Sequence, residues 1–147
     1  MTTIPVRLRR LLLLLAALVP VAAPAADRAR TNFLLHCAGC HQQDGSGSAE
    51  NGIPNLRERV GYFLHLPEGR AFLVQVPGTS QSSLNDRDTA TLLNWMVSTL
   101  GGTEAPADFS PYTKEEVTRL RGKPLDDVSA ARTQVIVRLR QMGYRIE

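Results

Sequence analysis

The 147-residue chain has two cysteines, Cys37 and Cys40, and only 5% of its residues are aromatic. A disulfide between cysteines three apart would close a very small loop and restrain the unfolded chain little. A zinc site needs four ligands, and the chain offers two cysteines and three histidines with no second Cys pair. Its few aromatics do not interleave with a basic stripe, so the footprint of a nucleic-acid binder is missing. Long apolar runs are missing as well. Leu11 to Val19 is nine residues, and a membrane-spanning helix needs roughly 20.

A net charge is also lacking once the start of the chain is set apart. Three of the 17 basic residues (Arg7, Arg9 and Arg10) and none of the 14 acids lie in residues 1–26. The remainder therefore carries 14 basic against 14 acidic residues. A positive segment, an apolar run and a small-residue stretch from Pro20 to Ala26 form the layout of a secretory signal peptide, with a cut near Ala26. The expectation is a periplasmic or secreted protein with no integral span after cleavage. Its remaining residues suffice for one domain of ordinary size.

Periodicity and breakers predict an all-α fold. Asp27 to His41 is helical in its first part, with Phe33, Leu34 and Cys37 on one side. Gln42 to Pro54 is a Gly/Ser/Asn/Asp loop. A short helix is expected around Leu56–Tyr62 and another over Glu68–Val76, stopped by Pro77-Gly78. Residues 77–85 form a polar loop. Asn85 or Asp86 caps a helix to about Leu100, with Leu92, Leu93, Trp95, Met96, Val97 and Leu100 as its apolar positions, and Gly101-Gly102 ends it. The tail, residues 103–147, holds two helices. One opens on the capping box Thr113-Lys-Glu-Glu116. The other starts at Asp126 or Asp127, with Val128, Ala131, Val135, Leu139 and Met142 as its apolar stripe. That stripe either covers the chain's own core, the favoured reading, or docks a partner.

The chemistry sits in HCAGCHQQDGSG, residues 36–47. Cys37, Cys40 and His41 are spaced i, i+3, i+4 and share one face of a helical turn. Two thiols so placed can bond to the two vinyl groups of one haem, and the histidine that follows can reach its iron. Cys-x-x-Cys-His is the attachment motif of a c-type haem. A thioredoxin-like pair would require a βαβ setting, and the flanking sequence reads as helix and loop.

NFLLHCAGCHQQDGSG resembles the start of a small class I type cytochrome c. GIPNL, Gly52 to Leu56, resembles the segment whose proline carbonyl holds the haem histidine, which carries Pro54 over as partner of His41. LNDRDTATLLNWMVSTL, Leu84 to Leu100, resembles the family's C-terminal helix, which crosses the N-terminal one. The resemblance covers about residues 28–101. It implies a haem domain over 27–102 and a helical extension over 103–147.

One feature of that family is absent. Its members mostly place a methionine in the loop before the last helix, whereas VPGTSQSSL, Val76 to Leu84, has no methionine, histidine or lysine, and Ser80 stands about where the ligand would be. Met96 is the first candidate for the sixth iron position and His65 the alternative. Met142 is a more remote candidate. His36 is expected at the surface. The resemblance implies an electron carrier with one covalent haem c, serving a redox donor and acceptor such as a periplasmic dehydrogenase. The alternative is a haem protein with an open distal site, peroxidase-like or gas-binding.

Overall fold

The computed structural model describes residues 23–146; the expected leader falls outside it except for residues 23–26. Among the described residues the elements are α1 (Ala23–His36), the single turn α2 (Ala38–His41), a 3-10 helix (Val60–His65), α3 (Pro67–Gln75), the single turn α4 (Pro77–Ser80), α5 (Asp86–Leu100), a 3-10 turn (Gly102–Glu104), α6 (Lys114–Arg121) and α7 (Val128–Gln141). There is one isolated bridge, Ser48 with Ile53, and no strand among them.

Capping chemistry sets the starts of the three helices that close the molecule. Asn85 accepts from the Asp88 amide at the head of α5, Thr113 from Glu116 at α6, and Asp127 from Ala130 at α7. Each bond satisfies an amide that the first helical turn leaves unpaired. Gly101 follows α5 and is buried.

α1 packs against α5, with the Phe33 ring 5.4 Å from that of Trp95. Phe33, Leu93, Val97 and Val74 are all but fully buried between them and α3. Burying such a ring or branched side chain contributes about 1.5–3 kcal/mol. The tail completes this core. Tyr112, Val117 and Leu120 join the same cluster. α7 builds a second cluster, with Val135, Ile136 and Leu139 against Tyr62, Phe63, Leu66 and Phe72.

The α7 stripe therefore faces the chain's own core, with one substitution in its membership. Met142 caps the helix and is 52% exposed. Gly143, at φ 93°, turns the chain, and Ile146 returns to be buried in its place. Two smaller expectations also shift. The short helix lies over Val60–His65 rather than Leu56–Tyr62. Pro77 does not merely stop α3; it opens α4, where its missing N–H leaves no bond unmade.

Candidate functional site

The end of α1 and the turn of α2 deliver the motif. The His41 amide bonds to the Cys37 carbonyl at 2.9 Å and Cys40 to the same carbonyl at 3.2 Å. This single turn brings Cys37, Cys40 and His41 to one cavity wall. The two cysteines are unpaired thiols, and no cluster of three or more metal-ligating side chains exists among the described residues. Burial, and then the neighbouring Cys40, push the Cys37 thiol up to about 11. It is therefore held as S–H at neutral pH.

The loop after the motif folds back to meet the histidine. Ser48 and Ile53 exchange two backbone bonds of 2.9 and 2.8 Å, and Leu56 donates to the Gly45 carbonyl at 2.8 Å. Asp44 accepts from the Ser46 amide and from Arg57. This pinned loop sets the Pro54 carbonyl 3.1 Å from His41 Nδ1. A carbonyl can only accept, so Nδ1 carries the proton and Nε2 keeps its lone pair. Burial holds the His41 ring below the usual imidazole range, while the Pro54 bond pulls the other way. The neutral, ligating tautomer is thus the one the fold selects.

Gly47 makes this approach feasible, and nothing in its local sequence singles it out. Its φ is +70°, and a Cβ there would lie 2.5 Å from the Pro54 oxygen. Only glycine fits both the backbone and the gap.

The cavity has a volume of about 860 Å³, within the roughly 300–1,000 Å³ of small-molecule and cofactor sites. Its wall takes apolar side chains from loops and helices alike, including Ile53, Leu56, Phe72, Val76, Leu92 and Leu93. It suits a flat, largely apolar group tethered at Cys37 and Cys40.

Candidates for a second iron ligand separate clearly by position. Met96, 9% exposed on α5, borders the cavity. His65 does not. Its Nε2 lies 2.9 Å from the Glu104 carbonyl and its Nδ1 2.9 Å from the Tyr144 hydroxyl. The carbonyl takes the ring proton, so the neutral ring uses its lone pair on Tyr144, and no nitrogen is left for a metal. Met142 stands at the surface away from the cavity. His36 is exposed, as expected, and forms part of the cavity's border. Ser80 does not line the cavity, and its hydroxyl is buried without a hydrogen bond. Arg59 and Arg132 also border the cavity; neither was expected there.

An all-helical fold, a Cys-x-x-Cys-His turn on an apolar cavity and a carbonyl orienting the histidine together define a small c-type cytochrome. Comparison with known proteins agrees. No family model matches the chain. A cytochrome c-552 of Thermus thermophilus is 29% identical over 156 aligned positions, covering 94% of this chain and 100% of that protein. A second Thermus thermophilus cytochrome c-552 is 30% identical over 138 positions, covering 82% of this chain and 99% of its own length. The chain belongs to the same family of small c-type cytochromes as these proteins.

Proposed function

We propose that this protein is an exported electron carrier with one covalently held haem c. The observation that carries the reading is the His41 Nδ1–Pro54 contact beside two free thiols on one cavity. Likeness to proteins named cytochrome c-552 supports it.

In this reading Cys37 and Cys40 would hold the haem through thioether bonds to its two vinyl groups. His41 Nε2 would hold the iron, and Pro54 would keep the ring in that tautomer and make it more basic. When bound, the haem supplies a one-electron couple. The chain's own work is to hold it, exclude water with Leu92, Leu93 and Phe72, and set the sixth position. Met96 is assigned that position because it is the methionine on the cavity wall.

Residues 1–26 are assigned as a removable signal peptide, 27–102 as the haem domain and 103–147 as an extension that covers it. Export places the carrier in the periplasm or outside the cell. No described helix is long and apolar enough to cross a membrane. Its partners are a redox donor and acceptor, with a periplasmic dehydrogenase as one fitting donor. The balanced charge beyond residue 26 suits docking through a small patch, as weak redox encounters do.

The test is the absorption spectrum of the reduced holoprotein before and after carbon monoxide. The carrier reading expects no prompt change in the wild type and a clear change in Met96→Ala. A prompt shift in the wild type would favour the open-site alternative, a gas-binding or peroxidase-like haem.

A further inference from the structure

The loop that carries Pro54 turns through SAENGI, residues 48–53, and Asn51-Gly52 lies in that turn. Of the chain's five asparagines only Asn51 precedes a glycine; the others precede Phe33, Leu56, Asp86 and Trp95. Three of those others have tasks in the fold. Asn55 accepts from the Arg57 amide, Asn85 caps α5 and Asn94 pairs with Tyr112. Asn51 and Gly52 are both exposed. The Asn51 side chain is held by a single hydrogen bond, from Nδ2 to the Ser48 hydroxyl at 2.9 Å.

An asparagine amide is open to attack at Cγ by the backbone nitrogen of the next residue, and a side chain on that residue crowds the approach. Glycine brings none. A Cβ built on Gly52 would meet nothing within 4 Å, so the surroundings leave room for a ring as well. The Gly52 N–H is tied to the Ala49 carbonyl at 3.1 Å, toward the long end of the hydrogen-bond range, and lies on the water side of the turn.

We infer that Asn51 is a site of spontaneous modification, converting to aspartate and isoaspartate, and that the conversion alters the cofactor site. The Gly52 nitrogen bonds to Asn51 Cγ, the Cγ–Nδ2 bond breaks, and ammonia leaves with the proton that the Gly52 nitrogen gives up. Water then opens the resulting cyclic imide at either carbonyl. One product is aspartate; the other is isoaspartate, with an extra methylene in the backbone. In sum an amide and water become a carboxylic acid and ammonia, and nothing is oxidised or reduced.

The place of Asn51 gives the change its reach. Gly52, Ile53 and Pro54 all border the cavity. The extra methylene falls inside the loop closed by the paired Ser48–Ile53 bonds, one residue before the Pro54 carbonyl that meets His41. The new carboxylate favours a more positive, oxidised centre nearby. This consequence rests on the haem reading above; the modification does not.

The experiment incubates purified holoprotein at mildly alkaline pH, which speeds loss of the Gly52 proton. Peptide mass spectrometry, ion-exchange chromatography and redox titration follow it. The expected result is loss of ammonia in the Asn51 peptide, a new and more acidic species, and a lower reduction potential in that species than in the unmodified protein. Asn51→Gln would have to close a larger ring, and should stay a single species with the wild-type starting potential. An Asn51 peptide that keeps its amide, or conversion spread equally over the other asparagines, would overturn the inference. Conversion at Asn51 with an unchanged potential would overturn its link to the cofactor site. A chain that carries no haem and still converts at Asn51 would overturn the haem reading and support the modification.

Discussion

The side-chain amide of Asn94 pairs with both backbone polar groups of Tyr112. It donates to the Tyr112 carbonyl at 3.0 Å and accepts from the Tyr112 amide at 2.7 Å. The first residue comes from the helix that carries Met96 and the second from the extension. Tyr112 itself is 3% exposed, and its hydroxyl reaches the Arg70 carbonyl. Burial pushes that phenol well above its usual range.

Asn94→Leu should therefore leave two half-buried backbone groups unpaired and cost about 2–4 kcal/mol, at about 1–3 kcal/mol for each such group. Urea unfolding of the variant tests this. Removal of residues 103–147 should be more severe, because it strips Tyr112, Val117 and Leu120 from the main core. The expected outcome is a chain that does not fold. A truncated protein that folds and binds haem would instead favour a partner-docking role for the tail.

Arg121 fastens the segment before α5. Its guanidinium donates to the carbonyls of Ser80, Ser82 and Leu84 and to Asp86, over 2.6 to 3.0 Å. Arg121→Ala should lower stability by about 2–4 kcal/mol, given about 1–3 kcal/mol per unsatisfied group and partial access to water. Arg121→Lys should recover little, since one ammonium cannot reproduce a planar fork. Limited proteolysis should reveal new cleavage between Val76 and Leu84.

Acid sensitivity follows from the same cluster. The Thr118 hydroxyl, and then Arg121, hold the Asp86 carboxyl below its usual 3.8. A carboxyl with a depressed folded pKa stabilises the fold at pH values above its unfolded pKa. That contribution is lost as pH falls below about 4, through the folded value. Asp86→Asn should be less stable at neutral pH and show a shallower loss of stability below pH 4 in acid titrations followed by circular dichroism.

Gly47 is the most sensitive position near the motif. Gly47→Ala introduces about 1–3 kcal/mol of backbone strain at positive φ, and the new methyl meets the Pro54 carbonyl. The thermal midpoint should fall. The reduction potential should move as well, because the carbonyl that orients His41 is displaced. A variant with unchanged potential would show that the Pro54 bond does not tune the ligand.

Much of this arrangement was legible beforehand. Asn85, Thr113 and Asp127 announce their helices because a capping side chain acts within three residues. The Cys37–His41 motif carries its chemistry in adjacent positions. What escaped detection depends on distant parts of the chain. His65 reads as a ligand candidate until Tyr144, 79 residues away, occupies its second nitrogen. Met142 fits the helical stripe, but the helix ends one residue earlier and Ile146 takes its place. Arg132 stands beside the α7 apolar stripe in the sequence, and only the fold brings it to the border of the cavity. Gly47 is one glycine in a polar loop until the Pro54 carbonyl lies against it.

The most direct measurement is the mass of the protein purified from an export-competent host, taken after acid–acetone extraction. The account predicts a chain starting near residue 27 that retains one haem, and complete loss of that haem in the double variant Cys37→Ala/Cys40→Ala. A wild-type chain that surrenders its haem to the solvent, or never carries one, would contradict it.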